Sequence, residues 1–189
     1  MKTKLKTLLT VSIMALIVVI STISNAASVG MTLSSNSKLK AGDTVTVTMS
    51  LGNIDAGNGI DTITAELNYD KNVFETVETS NLIASNSWTP TYASSTNMLT
   101  AVKNSKVTKG ETVLTITLKV KSTLSVKSTT VTLKDIVVSG GRVQDGGTGD
   151  INVNNASVTI NADSDAISKN ENTISNTTTT TNTTTNTTK

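Results

Sequence analysis

Residues able to do chemistry are few in this chain. It contains no histidine and no cysteine, so imidazole bases, thiolate nucleophiles and soft or imidazole metal ligands are all missing. Two carboxylates are enough to hydrolyse a glycoside, and 14 acidic residues are present. No pair of them stands out. Asp61 and Glu66 are five positions apart on one strand pattern and so point to opposite faces, and Asp70 and Glu75 flank a turn. Asp145-Gly-Gly-Thr-Gly-Asp150 offers two carboxylates and flexible carbonyls of the kind a hard cation takes, but it lacks the spacing of a calcium hand. A glycine-rich connection between two strands explains the same residues. The expectation is a non-catalytic chain without a metal site or cofactor of its own.

The elements that carry these residues are strands. Val45, Val47, Met49 and Leu51 alternate with Thr44, Thr46, Thr48 and Ser50. Ile63, Ala65, Leu67 and Tyr69 alternate with Thr62, Thr64, Glu66 and Asn68, and Leu114, Ile116, Leu118 and Val120 with Thr115, Thr117, Lys119 and Lys121. Period two with β-branched residues is the pattern of strands buried on one face. Further strands are expected at 29–34, 73–79, 88–93, 98–103, 129–138 and 153–160, divided by turn-rich stretches such as Gly57-Asn58-Gly59 and Gly140 to Gly149. About nine short antiparallel strands without helical periodicity predict an all-β fold, a two-sheet sandwich of jelly-roll type. With no disulfide to staple it, the domain depends on its core, which a chain of about 135 residues is long enough to build.

The two ends read differently. Lys2, Lys4 and Lys6 precede an apolar run from Leu8 to Ile20, and Ser24-Asn25-Ala26 supplies small residues at a cleavage site, so residues 1–26 are expected to be a signal peptide. The run is short for a membrane span, which needs about 20 residues, and no membrane insertion of the mature chain is expected. Three of the 16 basic residues lie in that leader; without them 13 face 14 acidic ones, a net charge of −1. A near-neutral chain without a basic stripe excludes nucleic acid as a partner. The domain is expected over 27–162, followed at 163–189 by a Thr/Asn-rich linker too poor in apolar surface to fold. Asn-Thr-Thr at 176, 182 and 186 matches a glycosylation pattern that such a composition produces by chance. The expected location is extracellular: secreted, or held at the cell surface through sequence beyond this chain.

Three segments, LKAGDTVTVTMSLGNI at 39–54, GIDTITAELNYDKNVFETV at 59–77 and VLTITLKVK at 113–121, resemble ordered landmarks of the cohesin domain family, the docking modules of cellulosome-type scaffolds. The resemblance covers roughly residues 29–160. It implies a fold similar to that of cellulose-binding modules and capture of a dockerin, a small calcium-loaded helical module borne by polysaccharide-degrading enzymes, with the calcium on the partner. It also implies a partner face built from strands three, five, six and eight. Carried over through the Leu67–Asp70 motif, the partner-reading positions are Thr62, Thr64 and Glu66 on strand three and Thr100 and Lys103 on strand six, all expected to point outward. Threonines stand at 62 and 64 where relatives often have an amide or carboxylate, and Lys103 stands where an acid is common. Two alternatives remain: a carbohydrate-binding module that stacks sugar on Trp88 and Tyr92, and a structural spacer or adhesin domain of a surface protein.

Overall fold

In the computed structural model, which describes residues 27–163, the chain forms ten strands among the described residues: β1 (Ser28–Ser34), β2 (Thr44–Asp55), β3 (Ile60–Asn68), β4 (Leu82–Ala84), β5 (Thr89–Ala93), β6 (Met98–Val107), β7 (Thr112–Lys119), β8 (Ser128–Ser139), β9 (Asp150–Val153) and β10 (Ala156–Asn161). The expected leader, and the expected linker from residue 164 on, lie outside the described residues. All strand pairs are antiparallel. One sheet has the order β1-β2-β7-β4; the other runs β10-β8-β3-β6-β5, with β9 on β8 beside β10. The expected all-β sandwich is the fold.

The alternation places the core between the sheets. Val45, Val47, Met49 and Leu51 of β2, Ile63, Ala65 and Leu67 of β3, and Leu114, Ile116 and Leu118 of β7 are all buried, while their threonine neighbours face outward. At roughly 25 cal/mol per Å² of apolar surface removed from water, this layer is the main stabilising term of a domain without disulfides. Tyr69 closes one end: its ring meets Phe74 edge-on at 6.5 Å, and its hydroxyl accepts the Val77 N–H at 3.0 Å.

Two expectations about strands change, and one strand was not expected. Residues 73–79 form no strand; Asp70 ends β3 in a turn, its carbonyl accepting the Val73 and Phe74 N–H groups, and Phe74 bridges singly to Val120. The apolar residues Val73, Phe74 and Val77 are buried through that turn rather than through a ladder. The segment expected as one strand over 153–160 is two, β9 and β10, parted at Asn154-Asn155. Their partner β8 is bulged at Asp135, which has φ 47°, so its two halves need separate neighbours. β4, only three residues long, had no pattern to reveal it.

The two ends of the sandwich are built differently. At one end Gly42, at φ 79°, makes the turn into β2, and Lys40 meets Asp43 at 3.8 Å. At the other, the loop 140–149 lies against the loop 56–59. Thr148 Oγ1 donates toward the carbonyls of Gly59 at 2.6 Å and Ala56 at 3.2 Å, and Asn58 Nδ2 donates to the Gly146 carbonyl. A Cβ on Gly140 would lie 2.0 Å from the Gly59 carbonyl oxygen, so this glycine is required by close approach.

Candidate docking face

The glycine-rich loop between β8 and β9 takes its form from packing against its neighbour, and no group of three or more metal-ligating side chains occurs among the described residues. Two of the carboxylates singled out in the sequence have partners within the fold. Asp61 pairs with Lys106 at 3.1 Å, and Asp70 Oδ1 accepts the Asn72 N–H at 2.8 Å.

The outer face of β5, β6, β3 and β8 is a different kind of surface. Strand pairing lines its residues up in three rows. Thr91, Thr100, Thr64 and Val137 form the middle row. Thr89, Val102, Thr62 and Ser139 lie on one side of it, and Ala93, Met98, Glu66 and Lys134 on the other. Thr62, Thr64, Glu66 and Thr100 therefore share one half-buried face, as expected from their alternation with Ile63, Ala65, Leu67 and Leu99. Thr62 Oγ1 donates to Asp61 Oδ1 at 3.0 Å. The only charged residues in these rows are Glu66 and Lys134, neighbours in register at one margin.

Lys103 does not belong to this face. It follows the outward Val102 and has the opposite parity from Thr100, where β6 loses regular register with β3 between Val102 and Val107. Its ammonium lies 2.7 Å from Glu111 Oε1 and 5.8 Å from the centre of the Trp88 ring, with only 14% of the side chain exposed. Thr100 and Lys103 are three positions apart, and on a strand an odd spacing separates faces.

Trp88 and Tyr92 also lie elsewhere than the sugar-stacking alternative requires. Trp88 is 2% exposed and donates its indole N–H to Glu111 Oε1 at 2.6 Å; Tyr92 is 8% exposed, with its hydroxyl 3.3 Å from Asn97 Oδ1. Burial, reinforced by the neighbouring Tyr69, pushes the Tyr92 phenol well above its ordinary range. Neither ring offers a face to a ligand, which removes the platform on which the carbohydrate reading rested.

What the sequence pattern passed over is the apolar content of the face. Met98 and Val102 are 39% and 42% exposed, two of four large hydrophobic residues in that condition among the described residues. They flank Thr100 on one strand. The signal was available: in β6 the core phase is Leu99 and Ala101, so apolar residues at 98 and 102 break the inward-apolar, outward-polar pattern.

The fold is a two-sheet antiparallel sandwich, and comparison with known proteins gives the family. The cohesin domain model matches residues 29–160, and the chain belongs to the cohesin family. Among solved structures, the fold is similar to that of a cohesin module from a family 33 glycoside hydrolase of Clostridium perfringens ATCC13124, with a TM-score of 0.60 at 10% identity, covering 73% of this chain and 98% of that one. A comparison with curated proteins returns no match.

Proposed function

We propose that this chain is an exported docking module that captures a dockerin-bearing protein through the outer face of β5, β6, β3 and β8. The observation that carries the reading is the pair Met98 and Val102, exposed among threonines on a cohesin domain. Apolar residues left exposed together on one face of a domain mark places where something binds. Both residues stand on β6, which is paired to a neighbour on each side, so the face is presented in one shape and little ordering opposes association. Calcium belongs to the partner, and the partner is a polysaccharide-degrading enzyme. The module similar in fold is part of a glycoside hydrolase, which supports that setting.

Export follows from the leader: cleavage after Ala26 leaves Ala27 as the first residue of the secreted protein. N-terminal sequencing of the exported protein tests this, and a start at Met1 would overturn it. Docking is tested by capture of purified dockerin-bearing enzymes with calcium and with EDTA. Binding in calcium alone is expected. A Thr64→Arg substitution, at the centre of the face, is expected to abolish capture and leave the melting temperature unchanged; wild-type capture by that variant would place the docking surface elsewhere.

A further inference from the structure

We infer that Met98 and Val102 are the two energetic anchors of the docking face, and that the partner meets them with an uncharged helix carrying aliphatic residues two turns apart. This rests on the docking reading above and specifies the partner's chemistry. Four strand positions separate the two side chains, about 13 Å at the rise of a regular strand, and β6 is regular over 98–102 against both β5 and β3. On a helix laid along β6, residues i and i+7 or i+8 lie about 11–12 Å apart on one apolar stripe. Such a helix places one aliphatic side chain on each anchor and a small residue over Thr100 between them.

The charge pattern argues for a neutral partner. No charged side chain occupies the rows of Thr89 and Thr91, and Glu66 and Lys134 are paired in register at the margin. An acidic or basic residue brought over Thr100 or Val102 would lose its hydration and find no counter-ion in those rows, and one brought over Met98 would have both Glu66 and Lys134 in its row, so that neither sign of charge is favoured there. Lys103, the one cation expected on this face, is held by Glu111 on the other side of the strand. Interface energy concentrates in a few central residues that become fully covered. Each anchor has about two-fifths of its surface still to cover, which corresponds to roughly a ten- to thirtyfold change in affinity.

The test uses a display library of calcium-loaded dockerin modules randomised at their exposed helical positions and selected on the full-length chain. Aliphatic residues at i and i+7 or i+8, with a small uncharged residue between them, are the expected outcome. The selected modules should bind Met98→Lys and Val102→Lys ten- to thirtyfold more weakly at unchanged melting temperature, and selection on the double lysine variant should return acidic residues at the same two positions. Should either lysine variant fold poorly, Met98→Ser and Val102→Thr carry the same expectation with a smaller loss. Binders with charged contact positions, or binders indifferent to Met98 and Val102, would overturn this inference and leave docking itself standing. A selection that yields no binder to the parent chain would overturn both.

Discussion

Replacing Glu111 with alanine should be among the most damaging changes available outside the hydrophobic core. One carboxylate oxygen receives both the Trp88 indole N–H at 2.6 Å and the Lys103 ammonium at 2.7 Å. Without it the indole N–H, on a side chain 2% exposed, is left unpaired, a loss of about 1–3 kcal/mol. The ammonium can bend its stem toward water, since 14% of Lys103 is already exposed, so its contribution is smaller, about 1 kcal/mol. Together these predict a loss of about 2–4 kcal/mol, or roughly 6–16 °C in Tm for a domain of this size. Urea unfolding followed by tryptophan fluorescence measures it directly, because Trp88 is the only tryptophan. Glu111→Gln keeps an acceptor but not the charge and should fall between. Asp43→Ala is the control: its pair with Lys40 spans 3.8 Å with both side chains more than half exposed, and its removal should change stability by under about 0.5 kcal/mol. If Glu111→Ala costs no more than Asp43→Ala, the network is not a structural unit and the account given of Trp88 and Lys103 is wrong.

Leu67→Ala should cost about 2–5 kcal/mol, because the side chain is fully buried between the sheets, whereas Thr64→Ala should cost under about 0.5 kcal/mol; denaturant melts compare them. Gly140→Ala should cost at least about 1–3 kcal/mol, since its Cβ would strike the Gly59 carbonyl, and faster hydrogen exchange over 56–59 and 140–149 should accompany it. Tyr92 supplies a pH dependence. Its folded phenol titrates above its unfolded value of about 10, so the unfolded chain releases this proton first, and the stability present below pH 10 is lost as pH rises beyond it. Urea melts at pH 9 and pH 11 should show a fall that is shallower in Tyr92→Phe; equal slopes would refute it.

The fold was legible where burial is one-sided. β2, β3 and β7 alternate strictly because one face of each packs on the other sheet and the opposite face meets solvent, and threonine outward with valine, isoleucine or leucine inward encodes that directly. It was illegible where tertiary contacts override spacing. Val73, Phe74 and Val77 carry strand-like apolarity but are buried from a turn, and Asp135 interrupts β8 with a bulge that no composition announces. The candidate docking face was half legible. Thr62, Thr64, Glu66 and Thr100 follow from parity, and Lys103 was misplaced by the same rule when an odd spacing was carried onto one face. Trp88 and Tyr92 sit among polar neighbours in sequence, and their burial depends on Glu111 and Asn97, partners that only the folded chain brings to the indole and the phenol.

The direction in which the chain enters and leaves the sandwich has a mechanical consequence. β1 starts opposite Asp55, at the end of the loop 56–59, whereas β10 finishes opposite Ser128, at the end of the Gly42 turn. Tension applied through the two termini of the domain therefore runs along both strands. Each is paired antiparallel over six residue positions, so their ladders are loaded in shear, all bonds at once, rather than peeled one by one. Leu39 adds a clasp beside the exit: its N–H donates to the Asn161 carbonyl at 2.9 Å and its carbonyl accepts the Asp163 N–H at 3.0 Å. Forced unfolding is governed by the unfolding barrier rather than by equilibrium stability, and a sandwich strung this way should resist a pull along the chain better than its free energy of folding alone suggests.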